Sequence, residues 1–165
     1  MYLYHGSNVV VSKPEIKDIN RGLDFGKGFY TTSDYKQAFS FSKRKTLTLG
    51  QGKPIVSIYS FDIDSAKECC NIKQFESPSE DWLDFVTEHR NNTYLSDEYD
   101  IIFGPVADDN VYRVVSLYFN NVLTKDEAIK RLLPMKLKDQ YVFCTDKSLS
   151  FLKFKESREG EDNNA

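Results

Sequence analysis

Phe25-Gly26-Lys27-Gly28-Phe29-Tyr30-Thr31-Thr32 is the stretch on which the reading of this chain turns. Two glycines one residue apart let the backbone adopt positive φ and let a strand or a ligand approach the main chain, and the aromatic residues that follow present flat faces there. Taken alone, the pattern more often marks a hairpin bend entering a core strand than a binding loop. Tyr30 is nevertheless the first candidate for a ligand contact. Upstream, Tyr2-Leu3-Tyr4 runs into the turn-forming Gly6-Ser7-Asn8 and reads as a strand ending at His5.

Working outward, Thr31-Thr32-Ser33-Asp34 offers helix-start residues, and Tyr35, Ala38, Phe39 and Ser42 follow at helical spacing, so a helix is expected over 34–46. Phe41 lies about 60° from Ala38 on that helix, at the edge of the buried stripe, where it serves either a site or the core. Residues 12–24 have no period and read as a surface connection. Within it Arg21 suits a phosphate or a surface ion pair. Ile55–Phe61 is apolar on both alternating faces, the mark of a central strand.

Further along, Ser77-Pro78-Ser79-Glu80 has the form of a capping box and predicts a helix over 78–91, with Trp82, Phe85, Val86 and His89 on one stripe. His89 is read there as a satisfied, partly buried histidine rather than a catalytic one. Tyr99–Phe103 reads as a strand that Gly104-Pro105 ends. Asp108 and Asp109 precede another amphipathic helix and are read as its caps before they are read as an acid and base pair. Thr124 and Glu127 form a second capping box for a helix that Pro134 stops, and Asp139–Cys144 is a late strand. Ser148–Phe154 is expected as a last helical turn or two. The domain is placed at 1–154, followed by a charged, frayed tail over 155–165. Strands and helices do not alternate regularly, so the class is α+β.

The chain has 165 residues, enough for one domain with a core, and a formal net charge of −3 gives no global attraction for a nucleic-acid backbone. Lys43-Arg44-Lys45 is read as a solvated helix face. Three cysteines and two histidines suit neither a disulfide framework nor a zinc site, and the thiols are read as reduced and cytosolic. No signal peptide or membrane span is expected. A Walker loop is absent, and Phe25-Gly26-Lys27-Gly28 lacks the third glycine of a dinucleotide-binding fingerprint.

Tyr4-His5-Gly6-Ser7 and Phe25-Gly26-Lys27-Gly28-Phe29-Tyr30 together resemble the first two signature segments of the ADP-ribosyltransferases of the diphtheria-toxin and poly(ADP-ribose) polymerase branch. Through Leu23–Tyr30 and Gly104–Asp109 the chain also resembles a bacterial family of unknown function placed near these enzymes. The resemblance spans residues 2–154 and implies a split-sheet α+β fold that binds NAD as co-substrate without a metal. It implies that His5 bonds the adenosine ribose, that the Gly6 main chain meets the nicotinamide carboxamide, and that Ser7 adds a hydroxyl contact. Gly28 belongs to the Gly-x-Gly-x-Tyr strand of the clamp. Tyr30 would stack on the nicotinamide, with Phe41, eleven positions on, as the second ring. Arg21 or Lys27 is available for the pyrophosphate.

One departure stands out. Asp139-Gln140-Tyr141-Val142-Phe143 matches the segment that normally carries the catalytic glutamate, with Gln140 in its place. An amide keeps a contact to a ribose hydroxyl but supplies no full negative charge to an oxocarbenium-like transition state. Asp139 or the acceptor itself would then compensate, and Gln140→Glu is expected to raise NAD hydrolysis. The function implied is mono-ADP-ribosyl transfer to a macromolecular acceptor, protein or nucleic acid, in a bacterial cytoplasm. The implied setting is the toxin of a toxin-antitoxin or phage-defence system with a neutralising antitoxin protein. The alternatives are an NAD or ADP-ribose binding module without chemistry, and an NAD glycohydrolase.

Overall fold

A computed structural model describes residues 1–18, 22–91 and 99–160 of the chain. Its elements run β1 (Tyr2–Ser7), β2 (Phe29–Thr31), α1 (Tyr35–Leu49), β3 (Ile55–Phe61), α2 (Ile63–Cys69), β4 (Ile72–Gln74), α3 (Glu80–Asn91), β5 (Ile101–Pro105), α4 (Asp109–Phe119), α5 (Lys125–Leu132), β6 (Asp139–Phe143), α6 (Asp146–Leu149) and β7 (Leu152–Glu159). They build an α+β fold with two sheets. The first is antiparallel, ordered β1-β3-β7, and the second is mixed, ordered β2-β6-β5-β4 with only β4 and β5 parallel.

Three apolar layers hold these parts together. Leu3, Phe29, Tyr59, Phe61, Ile101, Phe103 and Phe143, drawn from strands of both sheets, form one core. Helices α3, α4 and α5 cover the second sheet through Phe75, Trp82, Leu83, Val86, Val111, Val115, Leu132 and Val142. Helix α1 closes on the first sheet through Ala38, Val56 and Ile58. Full burial of each large side chain contributes about 1.5–3 kcal/mol, so the ring-rich composition becomes a core of aromatic edges and faces.

Local chemistry sets most boundaries. The Asp34 side chain accepts from the Gln37 N–H to start α1, and Gly50, at φ 63°, ends it in the left-handed conformation. Thr124 and Glu127 form the expected capping box of α5. Ser79, not Ser77, begins α3: its hydroxyl accepts from the Trp82 N–H at 3.3 Å, so Pro78 precedes the cap.

Three boundary expectations need correction. Strand β5 does not stop before Gly104-Pro105, since both residues pair with β6, opposite Gln140 and Asp139. Val106 N–H donates to Lys138 O at 2.9 Å, so alternation turns the Pro105 nitrogen away from β6, beyond the end of β4, where no ladder needs its missing hydrogen. Residues 148–154 do not form a late helix: α6 is one turn, and the chain then enters β7. The tail expected to fray from Lys155 instead continues β7 to Glu159, paired with Ile55–Phe61. Its charge suits an edge strand, where lysine and glutamate discourage pairing with other chains. No described helix is long and apolar enough to cross a membrane.

Candidate functional site

Besides their shared core, the two sheets are joined among the described residues by one main-chain rung. Tyr4 and Thr32 exchange both main-chain hydrogen bonds, at 2.8 and 3.0 Å. In an antiparallel ladder the next pair would be Gly6 and Tyr30, whose peptide groups alternation directs to the same edge. That rung is not made. The Tyr30 carbonyl oxygen instead accepts from His5 Nδ1 at 2.7 Å, and the imidazole stacks on Phe29 with centroids 4.4 Å apart. The ring thus spreads the strands and leaves the Gly6 peptide edge without a β2 partner among the described residues.

A carbonyl only accepts, so Nδ1 carries the hydrogen and Nε2 is an acceptor while the ring is neutral. Burial pushes the His5 pKa down to about 4, opposed by the Tyr30 hydrogen bond and aided by the charges of Lys45 and Lys17. At neutral pH the ring is therefore uncharged.

The glycines of the signature answer to packing. A Cβ on Gly6 would overlap the Ala38 carbonyl oxygen in α1, and one on Gly28 would lie 2.5 Å from Val142 Cγ1 and 2.9 Å from Phe143 O. Gly26 sits at φ 75°, in left-handed space. They let α1 and β6 close against the motif strands. Tyr30 is half-buried and pinned: its hydroxyl donates to Gly26 O at 2.7 Å and accepts from Phe25 N–H at 3.1 Å. Burial, then the nearby Asp24 charge, raises its pKa well above the ordinary value, so the phenol keeps its proton.

Tyr30 lies opposite Val142, and Gln140, two residues along β6, shares that face. Gln140 is buried, and its Nε2 donates to Asp24 Oδ2 at 3.1 Å and to Pro105 O at 3.4 Å. Asp24, itself buried, accepts from Arg90 Nε at 2.5 Å and from Ala107 N–H at 2.8 Å. The Arg90 guanidinium covers the Tyr112 ring at 4.1 Å. Asp24, Arg90 and Tyr112 were not singled out from sequence. Partners 66 and 116 residues apart leave no local signal that joins 24 to 90 and 140.

His5 and Tyr30 thus meet at the seam between β1 and β2, with Gly6 on its β1 side, while Gln140 shares a face with Tyr30 and Gly28 lies against Val142. Ser7 is buried and accepts from Lys45 Nζ at 3.2 Å. Phe41 is exposed on α1 and serves no core; Arg44 lies 6.0 Å from its ring centroid and reaches toward Asp109 of α4 at 4.0 Å. Lys27 pairs with Asp18 at 2.5 Å. Arg21 lies outside the described residues. Asp108 caps α4 through the Asn110 and Val111 N–H groups, as expected, and His89 is buried with Nδ1 on Phe85 O at 2.7 Å.

Asp139 is a poor stand-in for a catalytic acid. It accepts from Thr32 Oγ1 and Ser33 N–H, each at 2.9 Å, and from Ser33 Oγ, and so ties β6 to the start of α1. A separate groove of about 420 Å³ runs past Phe75, Phe103, Pro105, Lys138 and Tyr141, and none of His5, Tyr30 or Phe41 lines it. His5 reaches the Tyr30 carbonyl across the seam between β1 and β2, and Gln140 shares a face of the second sheet with Tyr30, so this seam is the candidate site. Among the described residues no three His, Cys, Asp or Glu side chains cluster as metal ligands would.

The fold and this site define an α+β domain of two sheets, with a neutral histidine and a pinned tyrosine at the seam between β1 and β2 and a buried amide on the face of that tyrosine. The chain belongs to the family described as Protein of unknown function (DUF3990), whose profile matches residues 1–154. No curated protein and no solved structure matches the chain.

Proposed function

We propose that this protein is an NAD-dependent mono-ADP-ribosyltransferase of the split-sheet type, acting on a macromolecular acceptor. The observation that carries the reading is the broken rung: the His5 imidazole takes the Tyr30 carbonyl and leaves the Gly6 peptide edge beside the Tyr30 ring. An N–H and C=O on a strand edge, without a β2 partner among the described residues, match the donor and acceptor of a carboxamide. A fixed phenol ring beside them suits a flat, cationic nicotinamide, and a desolvated contact of this kind contributes about 2 kcal/mol.

The residues present fit NAD. The Gly6 edge would hold the carboxamide, Tyr30 the ring, His5 Nε2 a ribose hydroxyl, and Gln140 a hydroxyl of the nicotinamide ribose, while Phe41, exposed on α1 beside Arg44, has no contact with Tyr30 among the described residues. The chemistry is cleavage of the bond between the nicotinamide nitrogen and the ribose carbon, with the bonding electrons leaving on nicotinamide and the acceptor's nucleophile adding to the ribose. Gln140 supplies an oriented dipole rather than a charge. Losing one such electrostatic partner costs on the order of 10²- to 10³-fold, which leaves slow transfer feasible.

A second reading follows from the same residue. Neither position 140 nor Asp139 offers a free carboxylate at the opening, which favours a module that binds NAD or ADP-ribose without chemistry. Incubation with NAD, with and without cell extract as acceptor source, separates the two. Nicotinamide release with labelled ADP-ribose on extract macromolecules, lost in Tyr30→Ala, is the expected result. NAD binding without release in either condition would replace the transferase with the binding module, and no binding at all would sink both.

A further inference from the structure

The glutamate position holds an amide, and the structure gives a reason for it. Gln140 Nε2 faces two acceptors, Asp24 Oδ2 at 3.1 Å and the Pro105 carbonyl at 3.4 Å. Neither acceptor has a hydrogen to give when Asp24 is ionised against Arg90, so the atom between them must be the nitrogen. The other end of the amide is thereby fixed. Gln140 Oε1 accepts no hydrogen bond among the described residues, and the buried side-chain polar atom left without a partner there is Thr46 Oγ1. Gln140 itself is buried, on the face of the second sheet that it shares with Tyr30.

We propose that Asp24 is the positioning residue of this site: its carboxylate, held by Arg90 and the Ala107 N–H, captures the Gln140 amide hydrogens and fixes which end of the amide is Oε1, so that position 140 is an amide because the buried negative charge stands on Asp24. Only the identity of what Oε1 meets rests on the NAD reading. The coupling between the two side chains stands apart from it.

The consequence reverses the expectation for Gln140→Glu. A second carboxylate would face Asp24 Oδ2 across one hydrogen-bond length, shielded from water, and like charges at that distance are not both sustained. The introduced glutamate would keep its proton, and the protonated acid would donate to Asp24 in place of Nε2–H. Such a group has a folded pKa above its unfolded value near 4.3, so the folded state holds the extra proton and stability falls as pH rises through the folded pKa.

The test is thermal unfolding of the wild-type chain and of Gln140→Glu, Gln140→Met and Asp24→Asn/Gln140→Glu at pH 5 and pH 8. The proposal expects the Gln140→Glu deficit in Tm to be small at pH 5 and to widen by several degrees at pH 8. It also expects the Gln140→Met deficit to be equal at both, and the double variant to lose the widening. A Gln140→Glu deficit independent of pH, or a widening that survives Asp24→Asn, overturns the coupling. Should Gln140→Glu not fold at either pH, the Gln140 side-chain amide of the wild-type protein decides by NMR. Its hydrogens, assigned by their absence in Gln140→Met, are expected to exchange at least tenfold slower than those of a solvated glutamine, and equal rates overturn the proposal. None of these measurements uses NAD, so their outcome is independent of the transferase reading. With NAD added, Gln140→Glu is expected to release nicotinamide more slowly than wild type at pH 8, and a faster release would contradict the assignment of the negative charge to Asp24.

Discussion

The His5 imidazole stands where a main-chain rung between Gly6 and Tyr30 would be, with Nδ1 2.7 Å from the Tyr30 carbonyl oxygen. A side chain in place of a peptide satisfies the Tyr30 carbonyl while interrupting the ladder between β1 and β2, so the break in pairing is built into the fold.

That substitution makes stability depend on pH. The folded His5 pKa is about 4, below the ordinary value of 6.5 that the unfolded chain has. As pH falls from 6.5 toward 4 the unfolded chain takes the proton first, so this contribution is complete above 6.5 and is lost on acidification. Urea unfolding at pH 7 and pH 5 is expected to show wild type losing on the order of 1 kcal/mol more than His5→Gln over that interval. Equal losses would mean that the ring is already protonated in the folded state.

Gly6→Ala tests the close approach of α1. The added methyl meets the Ala38 carbonyl oxygen, a main-chain atom that cannot swing aside, and the expected cost is about 2–3 kcal/mol in urea unfolding. A change within about 0.5 kcal/mol, the scatter of ordinary surface substitutions, would show that the helix shifts freely on β1.

Tyr30 separates ring from hydroxyl. Tyr30→Phe removes the bonds to Gly26 O and Phe25 N–H but keeps the flat face, so a loss of about 1–2 kcal/mol in stability is expected, with NAD-dependent nicotinamide release retained within roughly tenfold. Tyr30→Ala is expected to lower that release by on the order of 10²-fold or more. Equal activity in both variants would remove Tyr30 from the site.

Asp24 and Arg90 form a pair with one nearly inaccessible member, Asp24 at 5% exposure. Arg90→Met leaves that carboxylate without its cation and is expected to cost about 3–5 kcal/mol, measured by chemical denaturation. A cost under about 1 kcal/mol, the range of an exposed ion pair, would show that Asp24 does not depend on Arg90 for its place in the fold.

Truncation after Phe154 removes the rungs from Glu156 to Glu159 against Ile58 to Ile55. A tail without structure would be dispensable. As part of an edge strand its loss is expected to lower Tm by roughly 5–10 °C in calorimetry.

Much of the fold was legible because local rules decided it. The apolar run Ile55–Phe61 is the central strand, Asp34 and Thr124 start their helices, and Pro134 follows the end of α5. Residues 152–159 were misread because charge marks both a frayed tail and a protected edge strand, and only the presence of β3 beside them separates the two. Pro105 was misread for a similar reason: whether a strand tolerates proline depends on which side its nitrogen faces, a matter of register rather than composition. At the site, the signature residues were found from their motifs, while Asp24 and Arg90 emerged only when three distant segments met.

Gly6 and Gly28 are filled against by α1 and β6, not by a ligand. A descendant of this chain that had lost every affinity for a nucleotide would still require both glycines to close its helix and strand. The glycine signature is thus a requirement of architecture before it is a mark of any ligand. The pair at positions 24 and 140, where one side chain dictates the chemistry of the other, is the place to look when sorting working members of such a lineage from silent ones.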